Sequence, residues 1–399
     1  MTYGVFQEFF ATSWTLHGSQ SLTGIIGTTQ NGVMYLSMPF LFALFTRRWA
    51  HRRQAAASCG VVLACASFVL SSFSTEAWHL VLTQGVLAAI GCALIYSPMT
   101  LSLGEWWNSS NRAVAYAVTL SCKNIVGSVC PFLIRALLNK YDFRITMQIW
   151  AGVVALSSVL AIWLIPTHPA TVSTITIMQR PRTIPWHFLG HQTIYVYSIA
   201  IVLQSCGYGI PQTYLAQYAS EVIMLSQGSA TLLLTLFNLP GIASSTFFGY
   251  LTDNKRFAMS AATVTAISAT ATSLSAFTMW GLTEKGSSAL LMVFSITFGF
   301  FAGGYSATWG GVLNDLEREA AANNEAVDSG MVYGMLNGAR GIGYVVGGLV
   351  GVPLLRDGGI TMSSSGYGST YGKLILFTGL STVFGGWGLL FKWKRSIVW

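Results

Sequence analysis

The sequence predicts an all-α membrane protein of two six-helix bundles, and three observations carry that expectation. Hydrophobic residues make up 53% of the 399 residues and charged residues 9%, against about 25% charged in a typical soluble domain. Apolar runs of about 20 residues, the length that crosses a bilayer as a helix, recur along nearly the whole chain. A stretch rich in proline and threonine divides those runs into two sets of six.

Met1 to Ala11 comes first. It is apolar and aromatic but supplies about half of a span, so it reads as the outer half of a first helix that is incomplete at its N-terminus. Five full runs follow, Leu22 to Phe45, Ala55 to Ser72, Leu80 to Leu101, Ala113 to Leu137 and Ile145 to Ile165. The segment Pro166 to Gly190 carries Pro166, Pro169, Pro181 and Pro185 and reads as a linker between halves. Six more runs complete the chain: Thr193 to Ala216, Ser229 to Leu251, Phe257 to Trp280, Ala289 to Val312, Met331 to Leu354 and Leu374 to Phe391. The expected units are therefore a bundle at 1–165, a linker at 166–190 and a bundle at 191–399, the organisation of a transporter built from two related halves.

Thirteen Lys and Arg residues, among them Arg47, Arg48, Arg52, Arg53, Arg180, Arg182 and Lys392, fall on one side of these spans, against five on the other. Positive loops stay in the cytoplasm, which puts the linker and the C-terminus there. Topology accounts for the net charge of +8, since the basic residues form no continuous face for nucleic acid. Trp14, Trp78 and Trp280 on the outer side, with Trp106, Trp107 and Trp393 on the inner, suit interfacial aromatic belts. The six cysteines all fall within spans as small hydrophobes and give neither a disulfide framework nor zinc spacing. No cleavable signal peptide is expected, the first span directing insertion instead.

Two cations stand out. Lys123 lies ten residues into helix 5, about 15 Å from its cytoplasmic end, and Arg340 nine residues into helix 11. These helices hold equivalent places in the two halves, so both charges are expected at a central cavity near the midplane. Each costs about 2.5–3.5 kcal/mol there if unpaired. Of thirteen acidic residues only Glu8 lies within a span, so the cavity is expected to be net cationic and to favour an organic anion. The alternatives for Lys123 are a pairing with Glu8 or with backbone carbonyls, or snorkelling, which is expected of Arg135.

Gln7, Asn31, Tyr35, Tyr96, Asn124, Gln204, Tyr208, Asn238, Tyr305, Trp309 and Asn337 are candidates to line the same cavity. For each, an interhelical hydrogen bond is the competing reading. The G-x-x-x-G spacings at Gly299 to Gly303 and Gly343 to Gly351 allow close helix approach. No nucleophile, base and orienting group cluster, and H-E-x-x-H is absent, so no catalysis, metal or cofactor is expected.

Y-G-V-F-Q-E-F-F at 3–10, E-W-W-x-x-x-x-R-A-x-A-Y-A from Glu105, Gly127 and Pro131 in helix 5, and G-x-L-x-x-A-R-G-I-G at 334–343 resemble the monocarboxylate transporter-like branch of the major facilitator superfamily, its fungal members most closely. The resemblance implies the major facilitator fold, two six-helix bundles with alternating access to a central site. It also implies cargo among monocarboxylates and other organic anions, protons being the coupling ion of some members. The arginine that many members carry in helix 8 falls on Ser245, and Arg47 stands where the loop motif after helix 2 usually has an acid. The later copy of that motif keeps Gly249 and Asp253, for which the expected role is conformational. The expectation is a secondary transporter of a small organic anion, with Lys123, Arg340, Asn124, Asn238, Gln204, Tyr208, Tyr305, Asn337 and Gln7 at the substrate, lodged in the lipid bilayer of the plasma membrane. The alternative is a non-transporting sensor or inactive transporter relative.

Overall fold

The computed structural model describes residues 3–13, 22–47, 49–106, 112–164, 186–253, 259–356, 360 and 364–391. Twelve helical segments follow one another, and among the described residues there is no strand. In the first half α1 is Tyr3–Thr12, α2 runs as Thr23–Leu36 and Met38–Arg47, and α3 is Arg53–Ser71. Next, α4 combines Ala77–Leu80, a π-helical turn at Val81–Leu87 and Ala88–Trp106, α5 is Arg112–Lys140 and α6 is Phe143–Leu164. Of the linker only a 3-10 turn, Trp186–Gly190, falls among the described residues.

In the second half α7 is Gln192–Glu221, α8 runs as Gln227–Asn238 and Pro240–Asp253, and α9 as Ala261–Ser275 and Ala276–Trp280. Then α10 joins Ser288–Tyr305 to Trp309–Ala322, α11 is Ser329–Arg356 and α12 is Gly372–Phe384. Nine of these helical stretches are long and apolar enough to cross a membrane. At 1.5 Å per residue α1 is about 15 Å long, half the hydrocarbon thickness.

The breaks in α2 and α8 occupy equivalent places in the two halves. Helix α2 is interrupted at Ser37, two residues before Pro39, and α8 at Leu239, directly before Pro240. Proline has no N–H for the helical ladder and disfavours helical conformation in the residue before it. The breaks are thus written into the sequence.

The halves meet along two seams. Helix α2 packs on α11, and α5 packs on α8. Counting six helices per half, each seam is the counterpart of the other. Helix α1 lies against the C-terminal half of α7, where Gln7 Nε2 donates to Gln217 Oε1 at 3.1 Å, and against the start of α2, where Tyr3 donates to the carbonyl of Thr23 at 2.5 Å. Within the second half, small residues bring α11 close to α7. A Cβ at Gly343 would stand 2.5 Å from the carbonyl oxygen of Val202, and one at Gly347 2.4 Å from that of Cys206. The expected glycine spacing therefore serves close packing here.

Two expectations need correction. Arg135 does not snorkel: it is 6% exposed, forms an ion pair with the fully buried Glu8 and donates from Nε to Thr231 at 3.1 Å. Burial without water makes that partner worth more than a reach to the interface. Trp280 joins no aromatic belt, being fully buried with its ring edge-on to Tyr218 at 5.8 Å and 5.2 Å from Phe294. Trp78 is half exposed, as the belt expects.

Candidate functional site: a cavity between the bundles

Helical spacing builds the site. On α2, Asn31, Met34 and Tyr35 stand at i, i+3 and i+4 and so share one face; on α5, Lys123, Val126 and Gly127 do the same. These two faces, together with Gln212 of α7 and Tyr344 of α11, enclose a cavity of about 230 Å³. The first half thus contributes six lining residues and the second half two. Lys123 is the one cation in the lining, and no carboxylate lines it among the described residues.

Arg340 sits behind this wall. It stands eleven residues past the first residue of α11, as Lys123 does in α5, so the equivalent depth expected from the sequence is matched in the fold. Arg340 is 7% exposed, and its guanidinium carbon lies 4.9 Å from the ring centre of Tyr35 and 5.7 Å from those of Tyr208, Trp309 and Tyr344. Desolvated cation–π contacts are worth about 2 kcal/mol or more, which offsets much of the cost of burying the charge without a carboxylate. Tyr344 is one turn beyond Arg340 on α11 and stacks on Tyr35 at 5.9 Å and 19°. These two rings belong both to the cage and to the cavity wall.

Lys123 is different. It has neither a hydrogen-bond acceptor nor an acidic partner among the described residues, and Arg340 lies within electrostatic range of it. The cavity is therefore a region of positive potential bounded by apolar and aromatic groups, where low dielectric strengthens attraction to an anion.

The other expected substrate residues lie elsewhere. One residue on from Lys123, Asn124 turns to the α5–α8 seam, where its Nδ2 stands 3.5 Å from Ser245 Oγ; a Cβ on Gly241 would come within 2.5 Å of that nitrogen. Asn238 donates to the carbonyls of Gly127 at 3.2 Å and Leu234 at 2.7 Å. In the same seam Ser121 donates to the carbonyl of Ile242 at 2.9 Å, and Thr235 to that of Ser128 at 2.8 Å. Gln204 is buried against α12 at Gly385, and Tyr305 donates to the Gly385 carbonyl at 2.9 Å. Asn337 donates back along its own helix to Tyr333 at 2.8 Å, and Gln7 is held by Gln217. Tyr208 is in the Arg340 cage. Gly249 is buried in α8, and its carbonyl accepts from Thr252 at 2.9 Å, whereas the side chain of Asp253 lies outside the described residues.

Sequence reasoning passed over Gln212, Tyr344, Met34 and Val126. Only the i, i+3, i+4 spacing around Asn31 and Lys123 could have pointed to Met34 and Val126. Gln212 is placed by the cross-bundle register.

The family profile described as the Major Facilitator Superfamily matches residues 2–348. An "MFS-type transporter" of Gibberella moniliformis (strain M3125 / FGSC 7600) is 25% identical over 94% of this chain and 83% of its own length. Monocarboxylate transporter 12 of Xenopus laevis is 26% identical over 62% of the chain and 58% of its own length. Monocarboxylate transporter 13 of Rattus norvegicus is 26% identical over 75% and 65%. The chain thus spans less than two thirds of those two monocarboxylate transporters. Twelve helical segments in two halves, seams that are counterparts of one another and a profile match over most of the length converge: the chain belongs to the Major Facilitator Superfamily.

Proposed function

We propose that the protein is a secondary transporter that carries a small organic anion across the plasma membrane by alternating access. Lys123 carries this reading: a lysine among apolar residues, facing a cavity between the two halves, with no carboxylate in the lining. A charge so placed costs about 2.5–3.5 kcal/mol until an anion joins it. Lys123 is the direct ligand. Arg340, enclosed by four rings, holds Tyr35 and Tyr344 in place and adds positive potential.

Opening of one seam while the other closes would expose this cavity to alternate sides. The names of the relatives support the transport of monocarboxylates, and protons are the candidate coupling ion. Purified protein in proteoliposomes should take up a radiolabelled monocarboxylate, faster with an inward proton gradient if protons are coupled. Lys123→Met should abolish uptake. Anion binding without flux would instead mark a non-transporting relative, and flux that Lys123→Met leaves intact would refute the assignment.

A further inference from the structure

Gln212 faces the cavity from α7, in the half opposite Lys123. It is 6% exposed; its Oε1 accepts from the Tyr344 hydroxyl at 3.3 Å, and its Nε2 has no hydrogen-bond partner. A buried donor left unpaired is costly, and buried amides in folded proteins nearly always find an acceptor. The other amide on the wall, Asn31, already spends one of its two N–H groups on the carbonyl of Gly27 at 3.1 Å. Lys123 and Gln212 thus offer unspent donors to the cavity, one from each half.

The remaining wall is Met34, Val126, Gly127 and the stacked rings of Tyr35 and Tyr344. An apolar cavity of about 150 Å³ admits benzene. The volume here, about 230 Å³, therefore leaves room for a ring and one carboxylate. It falls short of the roughly 300 Å³ at which drug-sized ligands begin to fit.

We infer that the substrate is a monocarboxylate with a ring-sized apolar body, its carboxylate bridging Lys123 of the first half and Gln212 of the second, its body against Tyr35, Tyr344, Met34 and Val126. This rests on the anion-transport reading above and deepens it. One carboxylate suits the site because the second cation, Arg340, is shielded by its aromatic cage and does not line the cavity. A bridge of this kind ties the halves together only when the ligand is present.

The test is calorimetric titration of the purified full chain in detergent with sodium phenylacetate, sodium acetate and neutral phenylacetamide. Phenylacetate should bind about tenfold or more tightly than acetate, from burial of the ring. Phenylacetamide should bind more weakly than phenylacetate by a similar factor. Lys123→Met should bring phenylacetate down to the level of phenylacetamide. Gln212→Leu should weaken phenylacetate about tenfold, the loss of one charge-assisted hydrogen bond. Gln212→Glu, which keeps an acceptor for Tyr344, should weaken it further by repulsion, and thermal unfolding shows whether each variant folds. Equal binding of acetate and phenylacetate, or full binding by both Gln212 variants, overturns the inference while Lys123→Met still tests anion recognition separately. Carboxylate binding that Lys123→Met leaves unchanged brings down the anion reading itself. The absence of phenylacetate binding at millimolar concentration, with acetate still bound, overturns the ring-sized body alone.

Discussion

Helix α5 carries two cations twelve residues apart, and they are treated in opposite ways. Arg135, toward the C-terminal end, is neutralised by Glu8 of α1 and steadied by Thr231 of α8. Lys123, at mid-depth, faces an open space with no acid in its lining. Both are charges in a medium that penalises charge, yet one has its counter-ion built into the fold and the other does not. The contrast separates a fastening from a receptor: where the chain supplies the anion, the cation holds helices together, and where it does not, the anion has to come from outside.

The sharpest way to break this contrast is to unpair the fastening. Arg135→Leu strands Glu8 in an apolar surround and should destabilise the fold by about 3–5 kcal/mol. It should lower the thermal midpoint in detergent, and Glu8→Leu in the same chain should restore most of the loss. Lys123→Met should do the reverse, relieving up to about 2.5–3.5 kcal/mol of intramembrane charge cost, so that the thermal midpoint holds or rises while uptake disappears. A destabilised Lys123→Met would mean that the lysine has a structural partner after all. Arg340→Lys keeps the charge but loses the planar stacking, and should cost about 1–2 kcal/mol of stability with a partial loss of uptake. A loss comparable with that of Arg340→Lys is expected from Thr231→Val, about 1.5–3 kcal/mol for the bond it accepts from the Arg135 guanidinium at the α5–α8 seam.

Much of the fold could be read from the chain because bilayer thickness imposes a fixed length on apolar runs. The run expected at Ala113 to Leu137 is Arg112–Lys140, and the one at Met331 to Leu354 is Ser329–Arg356. Boundaries moved where capping or amphipathicity outweighed hydropathy. Helix α9 starts at Ala261, inside the run expected from the sequence, because Ser260 caps it by accepting from the Thr263 amide at 3.2 Å. Helix α10 continues to Ala322, ten residues past the apolar run, through the polar segment Asn314 to Ala322. Hydropathy cannot register such an extension.

The site was most legible in its charges, although Asn31 and Tyr35, also expected at the cavity, do line it. Lys123 and Arg340 announce themselves as cations in apolar helices, and their matched depth follows from counting along α5 and α11. Neutral residues carry no such mark. Asn124 and Lys123 are adjacent in sequence but point 100° apart around α5, one to the seam and one to the cavity. Which amide serves packing and which faces the ligand depends on helix rotation, and that is fixed by the partner helix. The same reason sends Asn238 and Asn337 to hydrogen bonds within the protein and packs Gln204 against Gly385, while Gln212 lines the cavity.

The interruptions beside Pro39 and Pro240 bear on motion. Each falls in a helix that forms one of the two seams, and each sits where the peptide ladder already lacks a rung. Each proline removes one rung, so bending α2 or α8 at these joints costs less than bending an unbroken helix, although the bonds from Ser37 to Val33 and from Leu239 to Thr235 still run through them. The joint in α2 also lies two residues beyond Tyr35, so tilting the Met38–Arg47 arm of that helix would displace a ring that walls the cavity and shields Arg340. A flexure at one edge of the molecule thereby becomes a change in how much positive field the bound molecule feels.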